Sequence, residues 1–208
     1  MTANSELMSQ AKESLSGNWG IAIGTFIVYA ILTSVLQFIP FLGPIVGIVI
    51  GGPFALGIII FAKNIANGED AKLEQIFDGF KNFGTALATY LLTAVFVFLW
   101  MLLLIIPGII MGLAYSQAMY IISDDPEIGA YEAISKSRKM MDGFKLKLFG
   151  MGLMFFGLSL LCVLTLGIGF FWLMPFASVT MVKFYQDVKA DFEAKEGGPE
   201  LAAEEVAS

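Results

Sequence analysis

Three stretches of the chain carry no charged side chain: 49 residues between Glu13 and Lys63, 42 between Lys81 and Asp124, and 35 between Lys147 and Lys183. An uncharged apolar run of about 18 residues is long enough to cross a bilayer as a helix, so each stretch has room for two crossings. Near its middle each is interrupted by helix-breaking residues: Pro40-Phe41-Leu42-Gly43-Pro44, then Pro107-Gly108, then Leu166-Gly167-Ile168-Gly169. The pattern predicts a polytopic all-α membrane protein with six transmembrane helices in three hairpins, over 20–39, 45–62, 85–106, 109–123, 146–164 and 170–185. The fourth and sixth are short at about 1.5 Å of rise per residue, so a thinned bilayer, a re-entrant hairpin or snorkelling by Lys145, Lys147 and Lys183 has to supply the remaining length.

The polar segments before each hairpin read as amphipathic helices. Ahead of the second hairpin, Asp70 is placed to cap a helix whose Leu73, Ile76, Phe77, Phe80 and Phe83 recur at three- and four-residue steps. Ahead of the third, Asp125 is expected as the cap and Pro126 as the first helical residue. Ile128, Tyr131, Ile134, Met141 and Phe144 then form an apolar face opposite Lys136, Arg138 and Lys139. The segment 5–16 is a weaker case, with Leu7, Met8, Ala11 and Leu15 on one face. Helices of this kind are expected to lie at the headgroup boundary with their apolar side in the lipid.

Asp78-Gly79-Phe80-Lys81 returns as Asp142-Gly143-Phe144-Lys145, 64 residues later, and Ser16-Gly17-Asn18-Trp19 is a fainter copy 62 residues earlier. A period of this length points to a triplicated unit of one interfacial helix plus one hairpin, hence a pseudo-threefold bundle with units over about 5–66, 67–123 and 124–186. Pro53-Phe54-Ala55 and Pro175-Phe176-Ala177 occupy like places in the first and third units. Residues 1–186 form a single membrane domain in this reading, and the acidic, Ala- and Glu-rich 187–208 is expected to be a disordered tail after a short helical start.

Composition agrees with the pattern. The chain is 57% hydrophobic and 14% charged, against roughly 45–50% and 25% for soluble domains, and its mean hydropathy is +0.79. All 12 lysines and arginines fall on one side of the six-span topology, and the three turns on the other side carry no charge. The distribution predicts a multi-pass membrane protein with both termini cytoplasmic. The first 20 residues include Glu6 and Glu13 and lack the basic-then-apolar order of a cleaved leader, so the first span is expected to serve as an uncleaved insertion signal.

Candidate chemistry is sparse. Histidine is absent and the lone Cys162 lies within an apolar segment, which removes the commonest general base and disfavours a thiolate. Asp124, Asp125 and Glu127 are better explained by helix capping than by a divalent cation. No phosphate-cradling glycine loop or zinc spacing occurs. The expectation is a non-enzyme with no cofactor, no catalytic residue and no metal site, and a pI near 4.6 argues against a nucleic-acid partner.

Three features remain. Small residues recur at four-residue spacing in Gly43, Gly47 and Gly51 and in Gly108 and Gly112, the usual device for close helix packing in lipid; a homo-oligomer interface or a pore lining is the functional alternative. The apolar runs hold hydroxyls and amides, among them Thr25, Tyr29, Thr33, Gln37, Thr89, Tyr90, Thr93 and Gln117, and the two glutamines are expected to find interhelical hydrogen bonds. Lys136, Arg138, Lys139, Lys145 and Lys147 gather beside the membrane, where each basic side chain attracts anionic headgroups by about 1 kcal/mol. Setting topology is the alternative role for this cluster. The partners expected are therefore membrane lipids, with membrane proteins or further copies of the chain as the other candidates.

The run Gly79-Phe80-Lys81-Asn82-Phe83 with Trp100 and Leu103-Leu104-Ile105-Ile106-Pro107-Gly108-Ile109-Ile110 resembles a bacterial family of integral membrane proteins described only as a domain of unknown function, family nine-seventy-five. So do Asp125-Pro126-Glu127-Ile128-Gly129-Ala130 with Ala133-Ile134, Ser137 and Met140-Met141, and Leu164-Thr165-Leu166-Gly167-Ile168-Gly169-Phe170. More distantly the chain is similar to the membrane domains attached to some glycerophosphodiester phosphodiesterases, without that enzyme's catalytic domain. The resemblance covers about 11–185 and implies a six-span inner-membrane protein; it supplies no catalytic residue. Two functions follow as expectations: a non-catalytic protein acting through lipids or membrane partners, or a small transporter, channel or lipid translocator with a path along the pseudosymmetry axis.

Overall fold

A computed structural model describes residues 2–37 and 43–207, and among these the regular structure is entirely helical. Helix α1 (Asn4–Leu15) is followed by α2 (Trp19–Gln37) and α3 (Gly43–Asn67), and a 3-10 helix (Leu73–Asn82) leads into α4 (Phe83–Leu103). Then come α5 (Ile105–Tyr115), α6 (Ala118–Asp124), α7 (Ala130–Met140), α8 (Lys145–Leu164) and α9 (Phe170–Ala207). The expected turn at 40–44 lies largely outside the described residues, as does the side chain of Gln37.

Four segments are long and apolar enough to cross a membrane: Ile45–Asn67, Leu73–Leu103, Ile105–Asp124 and Lys145–Leu164. A fifth results if Asn4–Leu15 and Trp19–Val35, bent by 96° to each other, count together. The segment 170–185 is helical as expected but continues into a polar helix and is not among the four.

Several local expectations are corrected. The chain reverses between α4 and α5 at Leu104, three residues before Pro107, because Pro107 sits in the first turn of α5 where a missing N–H loses no hydrogen bond. Asp70 caps nothing. The side chain of Gln75 instead accepts from the Lys72 N–H at 3.1 Å and donates to the Asp70 carbonyl at 2.9 Å. Asp125 and Pro126 lie in a turn, with the Asp125 carboxylate accepting the Glu127 N–H at 3.2 Å, and α7 starts four residues later at Ala130.

The larger correction concerns the amphipathic helices, each of which buries much of its apolar side against the bundle. Leu7, Ala11 and Leu15 of α1 are buried against α9 and α3. In the 3-10 helix three residues per turn align Leu73, Ile76 and Gly79, so Ile76 and Gly79 are buried on α3 while Phe77 turns outward. On α7 the covered face is Ala133, Ile134, Ser137 and Met140, packed on α4, α5 and α6, and Tyr131 is 69% exposed. The contacts form a cycle: α1 lies on α9, the 3-10 helix on α3, and α7 on α6.

Val188 is fully buried and Phe192 packs against the same core, and α9 runs on to Ala207. An Ala- and Glu-rich sequence continuing from a docked helix needs no new nucleus.

Candidate functional site

Lys63 and Asp124, the charged residues that end the first two apolar runs, meet at one end of the bundle. Asp124, at the end of α6, accepts from Lys63 of α3, from Lys189 of α9 at 2.5 Å and from the Tyr185 hydroxyl of α9 at 2.9 Å. Lys63 also donates to the Ser123 carbonyl at 3.1 Å. The Tyr120 and Tyr185 rings stack beside them, with centroids 5.5 Å apart. The second helix of each hairpin thus contributes to one cluster, which borders a cavity of about 290 Å³ that Gln186 and Glu193 complete. Two half-buried lysines sharing one carboxylate hold α3, α6 and α9 together, because separating them would strand charge in a poorly solvated place.

Spacing along the chain does not predict this cluster, and it makes Asp124 a helix-capping residue in preference to a cation ligand. A signal was present: Lys63 and Asp124 are the first charged residues after the first two apolar runs. Among the described residues no group of acidic or cysteine side chains is arranged to hold a metal ion.

The basic cluster expected to bind headgroups divides. Arg138, Lys139 and Lys145 line an open concavity of about 400 Å³ with Ser135 and Asp142, and Lys145 reaches the Asp142 carboxylate at 3.3 Å. Lys136 is exposed outside it. Lys147 faces inward, paired with Asp187 at 2.6 Å and lying 5.5 Å from the centre of the Phe184 ring. Asp187, beyond the last apolar segment, also accepts from the Thr2 hydroxyl at 2.6 Å and the Thr2 N–H at 3.2 Å. Burial pushes its carboxyl pKa up, but the hydrogen bonds from Lys147 and Thr2 outweigh that and hold it below the usual carboxylate range.

The glycines divide as well. Gly108 sits where a Cβ would strike Met101, and one at Gly112 would meet Val97 at 3.8 Å, so both lie on the α4–α5 contact. Gly43 is buried at the start of α3. Nothing lies within 4 Å of a Cβ at Gly47, and one at Gly51 would meet the Tyr90 ring at 3.5 Å. The closest packing on α3 uses other glycines. A Cβ at Gly52 would press on the Ala86 carbonyl of α4, one at Gly57 would overlap the Ile76 carbonyl, and one at Gly79 would overlap the Pro53 carbonyl.

Gly47 and Gly51 instead border a cavity of about 350 Å³ with Tyr29 and Thr33 of α2, Ile50, Phe54 and Ala55 of α3, and Tyr90 of α4. Gln117 also departs from expectation. Its amide donates at 2.8 Å to the neighbouring Ser116 hydroxyl, and the interhelical bond comes from its backbone N–H to the Ser137 hydroxyl of α7, at 3.1 Å.

A family model described as "Protein of unknown function (DUF975)" matches residues 1–110 and 101–191. The chain belongs to this family. The match spans the Asp124 cluster, the basic concavity and the α2–α3–α4 cavity, and its description assigns none of them a role. No curated protein and no solved structure matches the chain.

Proposed function

We propose that this protein is a non-catalytic, six-span protein of the bacterial cytoplasmic membrane that acts by holding anionic lipid at its cytoplasmic rim. The observation that carries the reading is the concavity of Arg138, Lys139 and Lys145 set directly beside apolar surface. Leu146, the next residue, is 80% exposed, and Phe149 projects one turn further along α8. A phosphate-bearing headgroup fits the basic hollow while its acyl chains follow the apolar flank of α8. Asp142 leaves an excess of positive charge, since three cations face one carboxylate.

Support for six spans comes from the lengths of 20–39 and 170–185 and from lysines and arginines confined to one side of the topology; the same bias supports cytoplasmic termini. Support for triplication comes from the repeated Asp-Gly-Phe-Lys and from the cyclic packing of each preceding helix on the second helix of another unit. The non-catalytic reading rests on the lack of histidine and on acidic side chains tied up in ion pairs. The test is native mass spectrometry of protein released from mixed bilayers. Wild type should retain phosphatidylglycerol over phosphatidylcholine, and a triple variant, Arg138→Gln, Lys139→Gln and Lys145→Gln, should lose that preference; equal retention by both would sink the proposal.

A second reading, a small transporter or lipid translocator, draws support from hydroxyls inside the bundle. Thr25 and Thr89 are fully buried, and their oxygens, with that of Thr93, have no hydrogen-bond partner among the described residues. Substrate-dependent flux in proteoliposomes would favour it over the first.

A further inference from the structure

Besides the lipid rim, we infer that the cavity between α2, α3 and α4 is a binding site for a neutral, lipid-soluble molecule bearing a hydroxyl or carbonyl oxygen. The cavity lies among apolar helices, and its lining carries no formal charge. Two phenols line it, a half-buried Tyr29 and a Tyr90 that is 39% exposed, and among the described residues neither hydroxyl has a protein hydrogen-bond partner. Thr33 is already occupied, donating to the Tyr29 carbonyl at 2.8 Å. In water an unpaired phenol is satisfied by solvent. In hydrocarbon it costs several kcal/mol, so two of them bordering one space call for an oxygen to accept their protons.

The space itself is built by sequence. Gly47 and Gly51 belong to the stripe with Gly43 that was expected to bring helices into contact, and Ala55 continues the four-residue step on α3. Here no neighbour fills the room at Gly47, and Gly51 leaves only van der Waals distance to the Tyr90 ring. Phe54 forms the apolar floor, fixed edge-on against Tyr29 with centroids 5.8 Å apart and against Phe80 at 5.0 Å. A volume of about 350 Å³ accommodates the head and first carbons of an amphiphile whose chain extends into the surrounding lipid. An ion is disfavoured, since no lining residue offers a counter-charge.

The test uses the full chain in nanodiscs, a decanol bearing a diazirine, and a diazirine-bearing decane as the oxygen-free control. Photolysis and mass spectrometry then locate the adducts. Decanol adducts should concentrate on Ile50, Phe54 and Tyr90 above the level found on the exposed α8 residues Phe156 and Leu160, and the decane should show no such enrichment. Tyr29→Phe with Tyr90→Phe should reduce the decanol enrichment by about threefold or more, as expected from losing hydrogen bonds in an apolar site. Gly47→Leu should abolish it by filling the space from its open side, and because nothing opposes its Cβ this variant keeps the fold measurable by thermal stability. Labelling no higher than on α8, equal labelling by decane, or enrichment unchanged in the Phe variants would each overturn the site, leaving water as the occupant.

Discussion

Helices α3 and α8 are both long, apolar and uncharged through their middles, yet one is the centre of the molecule and the other its rim. Nearly half of the apolar window of α3 is buried, against 17% for α8. The difference lies in what interrupts the apolar sequence. On α3 Gly52 and Gly57 admit the backbones of α4 and the 3-10 helix, and Lys63 reaches the shared carboxylate of Asp124. On α8, Gly152 and Gly157 face open space, and only Leu148 and Met151 are buried. Where lipid is as apolar as leucine, hydrophobicity does not choose which helix goes inside; close backbone approach and polar ties do.

The contrast predicts its own tests. Gly57→Ala or Gly79→Ala should cost about 3 kcal/mol or more, because a methyl group there overlaps carbonyl backbone and not a movable side chain. Gly152→Ala and Gly157→Ala should change stability by less than about 1 kcal/mol. Unfolding in mixed micelles measures both, and similar losses for the two pairs would erase the distinction between the helices.

Asp124→Asn should be the next largest effect, about 2–3 kcal/mol, below the full penalty for a broken buried pair because water reaches the cluster partly. Adding Lys63→Met to that variant should recover part of the loss, and a double variant no better than the single would count against the shared-carboxylate account.

Acid provides a third, milder probe. Since Asp187 has a lowered pKa in the folded protein, its contribution is complete above the unfolded carboxylate value of about 4 and disappears as pH falls through the lowered value. The melting temperature of wild type should therefore drop on acidification below about pH 4, with a shallower drop in Asp187→Asn. Identical slopes would show that the Lys147 pairing adds nothing. Smallest of all, Phe156→Leu on the exposed side of α8 should shift stability by under about 0.5 kcal/mol.

Helix positions were readable because charge-free runs and Pro-Gly breaks are local signals. Four of the six apolar segments, 20–39 over its described residues, 45–62, 146–164 and 170–185, are helical throughout, with Lys145–Leu164 within a residue of expectation, whereas 85–106 breaks at Leu104 and 109–123 at Ser116 and Gln117. Which glycine stripe packs was not readable. Gly47 and Gly51 share a spacing of four, but Gly57 finds its contact near Ile76, and Gly79 finds Pro53, across a turn the spacing does not reveal. The amphipathic helices were readable as amphipathic, but periodicity does not say whether lipid or protein covers the apolar side. Likewise Lys147 and Lys145 are indistinguishable in a basic run, and only the approach of Asp187, forty residues on, separates them.

Ser137 sits on the inner side of α7, two residues before Lys139 of the basic concavity. Its hydroxyl accepts the Gln117 N–H at 3.1 Å and donates to the Ala114 carbonyl at 2.8 Å, spanning the interruption between α5 and α6. A surface helix is thereby pinned to the joint of a crossing helix, in the manner of a splint across a fracture. Any displacement of α7 is therefore delivered to that joint, so the exposed helix and the interior of the bundle move as one.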